Sequence, residues 1–363
     1  MFEDFDKVSK ETWESKVVKD LKGKPLSSLV WEIEDRLSAN PFYHSEDFQT
    51  PPAPLATISS SNDWEIGETF VTSSIKESNQ KARTALMGGV NAPEFILSAA
   101  FSKADFKQLL EGINPELISL NFILGLEASL LENLKNFFDF LSETNRDNQK
   151  LSGSFVLKDY LSEINWKQAT QFCQEHLPGF RILTSFSEGS VLPSESLTNA
   201  IFQAYQLITN LSDQGIPQKD SIAQFQFEVE IGKSFFVEIA RLRALKLLWA
   251  NLLKSLGAKH DSPAFITVRF SPESMDEDAN TNMIAASTMA LSAAIGGANR
   301  ITVSPSGHDN NTFSRRIARN VQHLLKMESF IDKVADPGAG SYYIEKITRE
   351  LGQIAWEKFV AKT

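Results

Sequence analysis

Three short polar segments hold the residues of this sequence that could do chemistry. His308-Asp309 is the most site-like dipeptide, Glu273 opens a run of four carboxylates, and Glu188 and Ser190 flank a glycine. A histidine and a carboxylate could serve as acid and base, and clustered carboxylates could bind a divalent cation. Side chains adjacent in sequence diverge, however, and the acidic spacing matches no calcium loop. A polar surface loop and a solvated acidic helix cap are therefore the alternatives.

The remaining histidines and the cysteine indicate no further site. Cys173 is the single cysteine, which excludes an internal disulfide and a thiolate metal centre. It lies on the apolar face of a predicted helix, so we expect a buried structural thiol. His44, His176, His260 and His323 fall on different predicted elements without metal-ligand spacing.

Composition limits the partners of the chain. Its 363 residues are 42% hydrophobic and 23% charged, as in a globular protein with a sizeable core. The formal net charge of −10 argues against nucleic acid and anionic membrane surfaces. Because the sequence has no signal-like start and no apolar run long enough to span a bilayer, we expect a cytoplasmic protein without a membrane partner.

The elements that must position these segments alternate between strand and helix. Eight short β-rich runs are predicted, at residues 64–70, 93–98, 117–124, 153–158, 180–186, 222–229, 265–270 and 300–304. Eight helical stretches begin near Ser74, Asp105, Glu127, Trp166, Ser194, Lys233, Asn282 and Phe313.

This alternation predicts a parallel sheet, and eight strands allow closure into an α/β (β/α)₈ TIM barrel. A doubly wound open sheet is the alternative, but no glycine-rich turn follows the first strand. In a barrel, all three polar segments follow strands, at the end where barrel enzymes keep their active sites.

Residues 1–58 differ from this pattern. Helices are predicted at 10–21 and 26–36, and the proline-rich stretch 50–54 must be extended. With few apolar anchors, this arm should lie on the barrel (residues 59–363) or on another chain. The seventh barrel helix is apolar or small on nearly every face, so neighbours or a second subunit should bury it. A last helix is predicted at 341–360, with Ser341 as its N-cap.

The C-terminal third carries a specific series of motifs. It consists of Gly-Gly-Ala-Asn-Arg-Ile-Thr-Val at 296–303, Phe-Ser-Arg-Arg-Ile-Ala-Arg-Asn-Val-Gln at 313–322, Glu-Ser at 328–329 and Lys-Val-Ala-Asp-Pro-Gly-Ala-Gly-Ser-Tyr-Tyr-Ile-Glu at 333–345. In this order they closely resemble the substrate barrel of the cobalamin-dependent acyl-CoA mutases, methylmalonyl-CoA mutase above all. Residues 235–244 and 64–66 resemble the family's sixth helix and first strand.

The arm resembles the leading segment of the small subunit in two-chain mutases, through Trp13, residues 22–31 and Pro-Phe-Tyr at 41–43. This resemblance implies a heterodimer in which a large subunit binds acyl-CoA and adenosylcobalamin and does the isomerisation. The small subunit does not turn over substrate and binds no cofactor. Alone, such a chain could self-associate through its partner-facing surface.

Departures from the catalytic pattern agree with that implication. Catalytic barrels carry Gly-Tyr-His after strand five, where this chain has Gly189-Ser190-Val191. The segment 56–63 lacks the arginine that grips CoA, and the cobalamin motif Asp-x-His-x-x-Gly is not matched at His308. Since losing one polarising donor costs about 2.7–4 kcal/mol of barrier, we expect no catalytic, cofactor or metal residues in this chain.

Two alternatives remain open at this point. A split mutase, with cobalamin on a separate small protein, predicts an open CoA channel through the barrel. The non-catalytic subunit predicts a channel filled by bulky side chains such as Phe122, Phe186 and Phe225. A self-sufficient barrel enzyme would use Glu188 and Glu273 with His308.

Overall fold

Nine parallel strand segments form one sheet that closes on itself. The computed structural model describes residues 8–48, 61–144, 146–157, 164–258, 262–307 and 311–363. The strands of the sheet are β3 (Glu65–Val71), β4 (Ala92–Ala99), β5 (Ser119–Glu127), β6 (Ser152–Leu157), β7 (Phe180–Arg181), β8 (Leu183–Ser187), β9 (Phe225–Ile231), β10 (Ile266–Phe270) and β11 (Arg300–Thr302). Their order is β7-β6-β5-β4-β3-β11-β10-β9-β8.

The fifth barrel strand closes the ring by changing partners midway. Its first part, β7, pairs with β6, and after Ile182 its second part, β8, pairs with β9. The backbone N–H groups of Ile182 and Leu183 both donate to the carbonyl of Gln224 at this switch. Since β7 and β8 are one continuous strand, the wall is that of the predicted (β/α)₈ barrel.

Helices surround this wall. They are α2 (Ile75–Met87), α3 (Lys103–Leu109), α4 (Leu130–Ser142), α5 (Trp166–His176), α6 (Pro193–Asp213), α7 (Gln218–Ala223), α8 (Phe235–Ser255), α9 (Ala279–Ile295), α10 (Thr312–Met327) and α11 (Tyr342–Lys362). Serine hydroxyls cap several of them, including the predicted cap Ser341 on α11. α9 is buried on one side by α8 and α10, while Ile284 on its other side is exposed. No described helix is long and apolar enough to cross a bilayer.

One predicted helix is wrong, and several predicted boundaries shift by a few residues. The stretch predicted as a helix at 26–36 is a short 3₁₀ turn followed by a hairpin of β1 (Trp31–Glu34) and β2 (Leu37–Ala39). Arg36 adopts φ +67° at the hairpin turn, a left-handed conformation that ends any helix. Residues 218–223 form α7, so the sixth barrel strand starts at Phe225, and Glu127 ends β5 instead of starting a helix.

The arm packs on the barrel, mainly on α11 and the start of α6. α1 (Lys10–Asp20) meets the following segment where Trp13 and Phe42 pack with ring centroids 4.9 Å apart. Buried Glu34 of β1 accepts a hydrogen bond of 3.1 Å from the backbone N–H of Ser194 in the first turn of α6. The predicted extended stretch 50–54 lies outside the described residues.

Candidate functional site

A buried arginine fixes the loop after the fifth barrel strand. Arg241 of α8 donates to the Ser187 hydroxyl and the Ser196 hydroxyl, each at 3.1 Å, and to the Glu188 carbonyl at 3.4 Å. Its ion pair with Glu238, at 2.7 Å, compensates its buried charge. Arg241 therefore ties the start of this loop, at Glu188, to the end of β8 and to α6.

The loops after the fifth and seventh strands meet at Gly189. Its N–H donates to Glu230 Oε2 at the end of β9, at 3.3 Å, and a Cβ at this position would lie only 2.8 Å from the Ser271 Cβ. The structure thus brings the loop bearing Glu188 and Ser190 beside the loop bearing Glu273, as the barrel fold predicts.

Two carboxylates of the loop after β10, Glu273 and Asp278, have lowered pKa values and so lack the raised pKa of a general acid. A hydrogen bond from the Ser271 hydroxyl lowers the pKa of Glu273, which is exposed and ionised at neutral pH. Asp278 caps α9 by accepting from the N–H groups of Asn280 and Thr281, as the acidic-cap alternative predicts. Within the described ranges, no three His, Cys, Asp or Glu side chains are grouped so as to bind a metal ion.

Of the other histidines and the cysteine, those that the structure describes lie away from these loops, and His260 lies outside the described residues. His308 and Asp309 lie outside the described residues, so a role for them stays a prediction. His176 and His323 lie on α5 and α10, and His44 belongs to the arm. Cys173 is buried, its Sγ contacts the Leu177 carbonyl at 3.4 Å, and burial raises its pKa to about 12, as expected of a structural thiol.

Charged side chains cross the interior of the barrel. Arg269 of β10 forms an ion pair of 3.0 Å with Glu228 on the adjacent β9. Its guanidinium also reaches across the lumen to Glu94 of β4, at 2.7 Å, and to the Thr69 hydroxyl of β3, at 3.3 Å. Glu94 and Glu228 are buried, and their charges raise the pKa of Arg269 despite its desolvation. The arginine therefore links the non-adjacent strands β10 and β4 through the lumen as a permanent cation.

A second arginine ties the walls together nearer the N-terminal ends of the strands. Arg300 of β11 pairs with Glu65 of β3 at 2.7 Å and donates to the Ser119 hydroxyl of β5 at 2.9 Å. Beside it, the Arg181 guanidinium lies 3.7 Å from the centroid of the Phe265 ring. Burial and the neighbouring Arg300 lower the pKa of Arg181 to about 10.

The lumen is thus occupied. Of the three aromatic residues that the sequence led us to expect there, only Phe186 faces inward, because it lies opposite Glu228 in the register of β8 and β9. Phe122 packs edge-on against Phe106 of α3 and Phe137 of α4, so it faces the helices. Phe225 stacks on Trp249 of α8, which places it in the same outer layer. Both expectations were wrong because these side chains fall on the outward-pointing register of their strands.

The sequence contains a signal for the polar lumen that the strand predictions did not use. β9 reads Phe-Gln-Phe-Glu-Val-Glu-Ile, with apolar residues alternating with polar ones. In a barrel wall covered by helices, such alternation means that one face, here the inner one, is polar. Reading it would have found Glu228 and Glu230, and the same pattern in Ile-Thr-Val-Arg-Phe of β10 would have found Arg269.

Comparison with known proteins decides the family. The sequence model of one family, methylmalonyl-CoA mutase, matches residues 98–361 of the chain. The chain belongs to the methylmalonyl-CoA mutase family.

Proteins named methylmalonyl-CoA mutase small subunit are among its relatives. The one from Porphyromonas gingivalis is 30% identical over 99% of this chain and 64% of its own length. The one from Streptomyces virginiae is 26% identical over 94% of this chain and 60% of its length. A protein named methylmalonyl-CoA mutase from Cereibacter sphaeroides is 24% identical over 98% and 58%. The chain therefore spans about three fifths of the length of these mutases.

Among solved structures, a Yersinia pestis dihydropteroate synthase overlaps 72% of this chain and 92% of its own, with a TM-score of 0.40 and 13% identity. A likeness at this level adds nothing to the barrel topology described above.

The described residues do not fit the acyl-CoA substrate or the adenosylcobalamin cofactor of this mutase family. An acyl-CoA threaded along the barrel axis would have to displace Arg269 from two buried carboxylates. Gly189-Ser190-Val191 presents neither a phenol nor an imidazole to polarise a thioester or to face adenosylcobalamin.

Proposed function

We propose that this chain is the small, non-catalytic subunit of a heterodimeric methylmalonyl-CoA mutase. A large subunit carrying adenosylcobalamin interconverts succinyl-CoA and methylmalonyl-CoA, and the chain described here supports it. The observation that carries the proposal is the ion-paired Arg269 across the lumen, in the space that an acyl-CoA would need. The similarity to proteins named small subunits agrees with it.

The energetics of the lumen favour this role. Arg269, Glu94 and Glu228 are stable as a group because each buried charge has an opposite charge within 3.0 Å. Withdrawing the arginine would leave two carboxylates uncompensated, and breaking a buried pair costs about 3–5 kcal/mol. Substrate binding would have to supply that free energy in addition to ordering the ligand.

The arm, residues 1–58, is proposed to contact the large subunit, and residues 59–363 to form the supporting barrel. Trp31 is 42% exposed and Phe42 43% exposed, although both belong to segments packed on the barrel. Large exposed aromatic side chains are enriched at protein interfaces, where burying them contributes most of the affinity.

Co-purification from the native cell tests the proposal directly. The full chain with an affinity tag should bring down a larger, cobalamin-bearing mutase chain in equal amount, and the complex should isomerise methylmalonyl-CoA. The tagged chain alone should be inert. Replacing two exposed top-face acids together, Glu188→Gln with Glu273→Gln, should leave the turnover of the complex unchanged.

Three results would contradict this role. A chain that comes down alone and binds acyl-CoA tightly would favour the split mutase with a separate cobalamin protein. Loss of turnover in the double variant, with the complex intact, would give Glu188 or Glu273 a catalytic function. Isomerase activity of the isolated chain would overturn the proposal altogether.

A further inference from the structure

A buried lysine on α8 has no partner. Lys246 is only 6% exposed, and none of the described residues accepts a hydrogen bond or ion pair from its Nζ. Lysine is almost never fully buried unless it is paired, because desolvating an ammonium group is expensive. Packing alone therefore does not account for a lysine at this buried position.

The Lys246 side chain lines a small cavity of about 60 Å³. The other walls are residues 61–63, 263–264 and 297–299, which precede β3, β10 and β11, together with Ala335. The cavity thus lies at the N-terminal end of the strands, opposite the loops of the candidate site. Gly297, at φ +77°, lies directly beside Nζ, and a Cβ there would collide with the amine. By volume the cavity holds roughly four waters or one small organic molecule.

The charged groups around the Lys246 amine have opposing effects on its pKa. Burial lowers the pKa of Lys246 to about 8, Asp336 in the turn before α11 raises it, and Arg243 on the same helix lowers it. Arg243 itself is bonded to both Asp336 and Glu345, so this cluster has one positive and two negative charges. Asp63, on the cavity wall, is paired with Lys326. A positive charge on Lys246 would balance the cluster, although the amine also loses its proton easily.

Desolvation and a neighbouring cation are the two devices by which proteins activate a lysine as a nucleophile toward carbonyl compounds. We propose that Lys246 and its cavity form a second site, separate from the mutase function, that takes a small aldehyde as a Schiff base. An aldehyde of a few heavy atoms is uncharged on entry and fits the volume. The protonated imine would keep the positive charge that Asp336 and Glu345 require.

The reaction is balanced without an oxidant or reductant. The neutral Nζ adds to the carbonyl carbon, and one of its own protons passes to the carbonyl oxygen to give a carbinolamine. A second proton, from water, then converts this hydroxyl into a leaving water molecule. The C–O bond then breaks, water leaves, and the nitrogen lone pair forms the C=N bond. The reverse reaction needs only water, so occupancy depends on aldehyde concentration.

Reductive trapping on the full chain tests the site. The protein is treated with ¹³C-labelled acetaldehyde and sodium cyanoborohydride, and ethylated lysines are quantified by peptide mass spectrometry. At pH 7.5 about a quarter of the Lys246 amines are neutral, against about 0.1% for an ordinary lysine. We expect Lys246 to react at least tenfold faster than the exposed Lys254 of the same helix. Its rate should level off above pH 8, while that of Lys254 rises toward pH 10.

A cavity-filling variant separates the site from general reactivity. Ala335→Val adds bulk to the wall without changing any charge, and it should slow trapping at Lys246 while leaving Lys254 unchanged. Lys246→Arg should abolish the labelled peptide. Trapping at Lys246 no faster than at Lys254, a rate still rising at pH 10, or no effect of Ala335→Val would each overturn the proposal.

Discussion

At the scale of single residues, the most consequential feature is the number of buried charges. Arg269, Arg243 and Arg241 each compensate at least one carboxylate inside the barrel or beneath its helices. Replacing a buried ion pair by well-packed apolar residues is often neutral, whereas removing one partner is strongly destabilising. Losing any one of these arginines should therefore destabilise the fold strongly, even though the intact ion pairs add little net stability.

Arg269→Met provides the test at this scale. It leaves Glu94 and Glu228 buried without a counter-charge, so the free energy of unfolding should fall by about 3–5 kcal/mol. Urea unfolding followed by circular dichroism measures the change. The triple variant Glu94→Gln, Arg269→Met and Glu228→Gln is the matched control and should recover most of the loss. A single variant as stable as the wild type would show that the lumen tolerates the unpaired carboxylates.

At the scale of elements, regular patterns were predictable and local exceptions were not. The apolar repeat of α8 and the serine cap of α11 are encoded within one element, and both helices form as expected. The hairpin of β1 and β2 replaced a predicted helix because its stability depends on Arg36 in a left-handed turn and on contacts with α11. Such tertiary contacts leave no periodic signal in the sequence.

The contact between the arm and the barrel gives the element-scale prediction. Glu34 places a carboxylate at the N-terminus of α6, where unpaired N–H groups and the helix dipole favour negative charge. Glu34→Gln should lower stability by about 1 kcal/mol and make the arm more susceptible to limited proteolysis.

Glu32→Gln, on the exposed side of the same strand, is the matched control and should change neither quantity. Equal effects of the two substitutions would mean that the capping contact does not hold the arm in place.

At the scale of the whole molecule, the barrel and family were predictable, but the contents of the lumen were not. Eight βα units and the C-terminal motifs fix the fold and the family from sequence alone. Which residues face the axis depends on the register of each strand, and a shift of one residue exchanges the two faces. Glu188 and Glu273 follow the fifth and seventh strands, as the predicted strands require, whereas Phe122 was placed in the channel on the wrong register.

The proposed complex gives the prediction at this scale. Trp31→Ser removes an exposed aromatic side chain from the arm. It should weaken capture of the large subunit at least tenfold, because tryptophans at interfaces commonly contribute about 2 kcal/mol or more to binding. Pull-down with increasing competitor measures the affinity.

The control is Leu117→Ser, which removes an even more exposed apolar side chain (76% against 42% for Trp31) from the barrel, before β5, and should leave capture unchanged. Full capture by the Trp31 variant would place the interface elsewhere on the chain.

The arginine ties across the lumen also have a mechanical consequence. Arg269 links β10 to β4, and Arg300 links β11 to β5. The barrel is therefore cross-linked through its interior as well as by the hydrogen bonds between neighbouring strands. The barrel therefore cannot widen or flatten without breaking the Arg269–Glu94 ion pair or the Arg300–Ser119 hydrogen bond. In the proposed heterodimer, this barrel would stay rigid. Any conformational change during turnover would be confined to the large subunit and to the interface between the two chains.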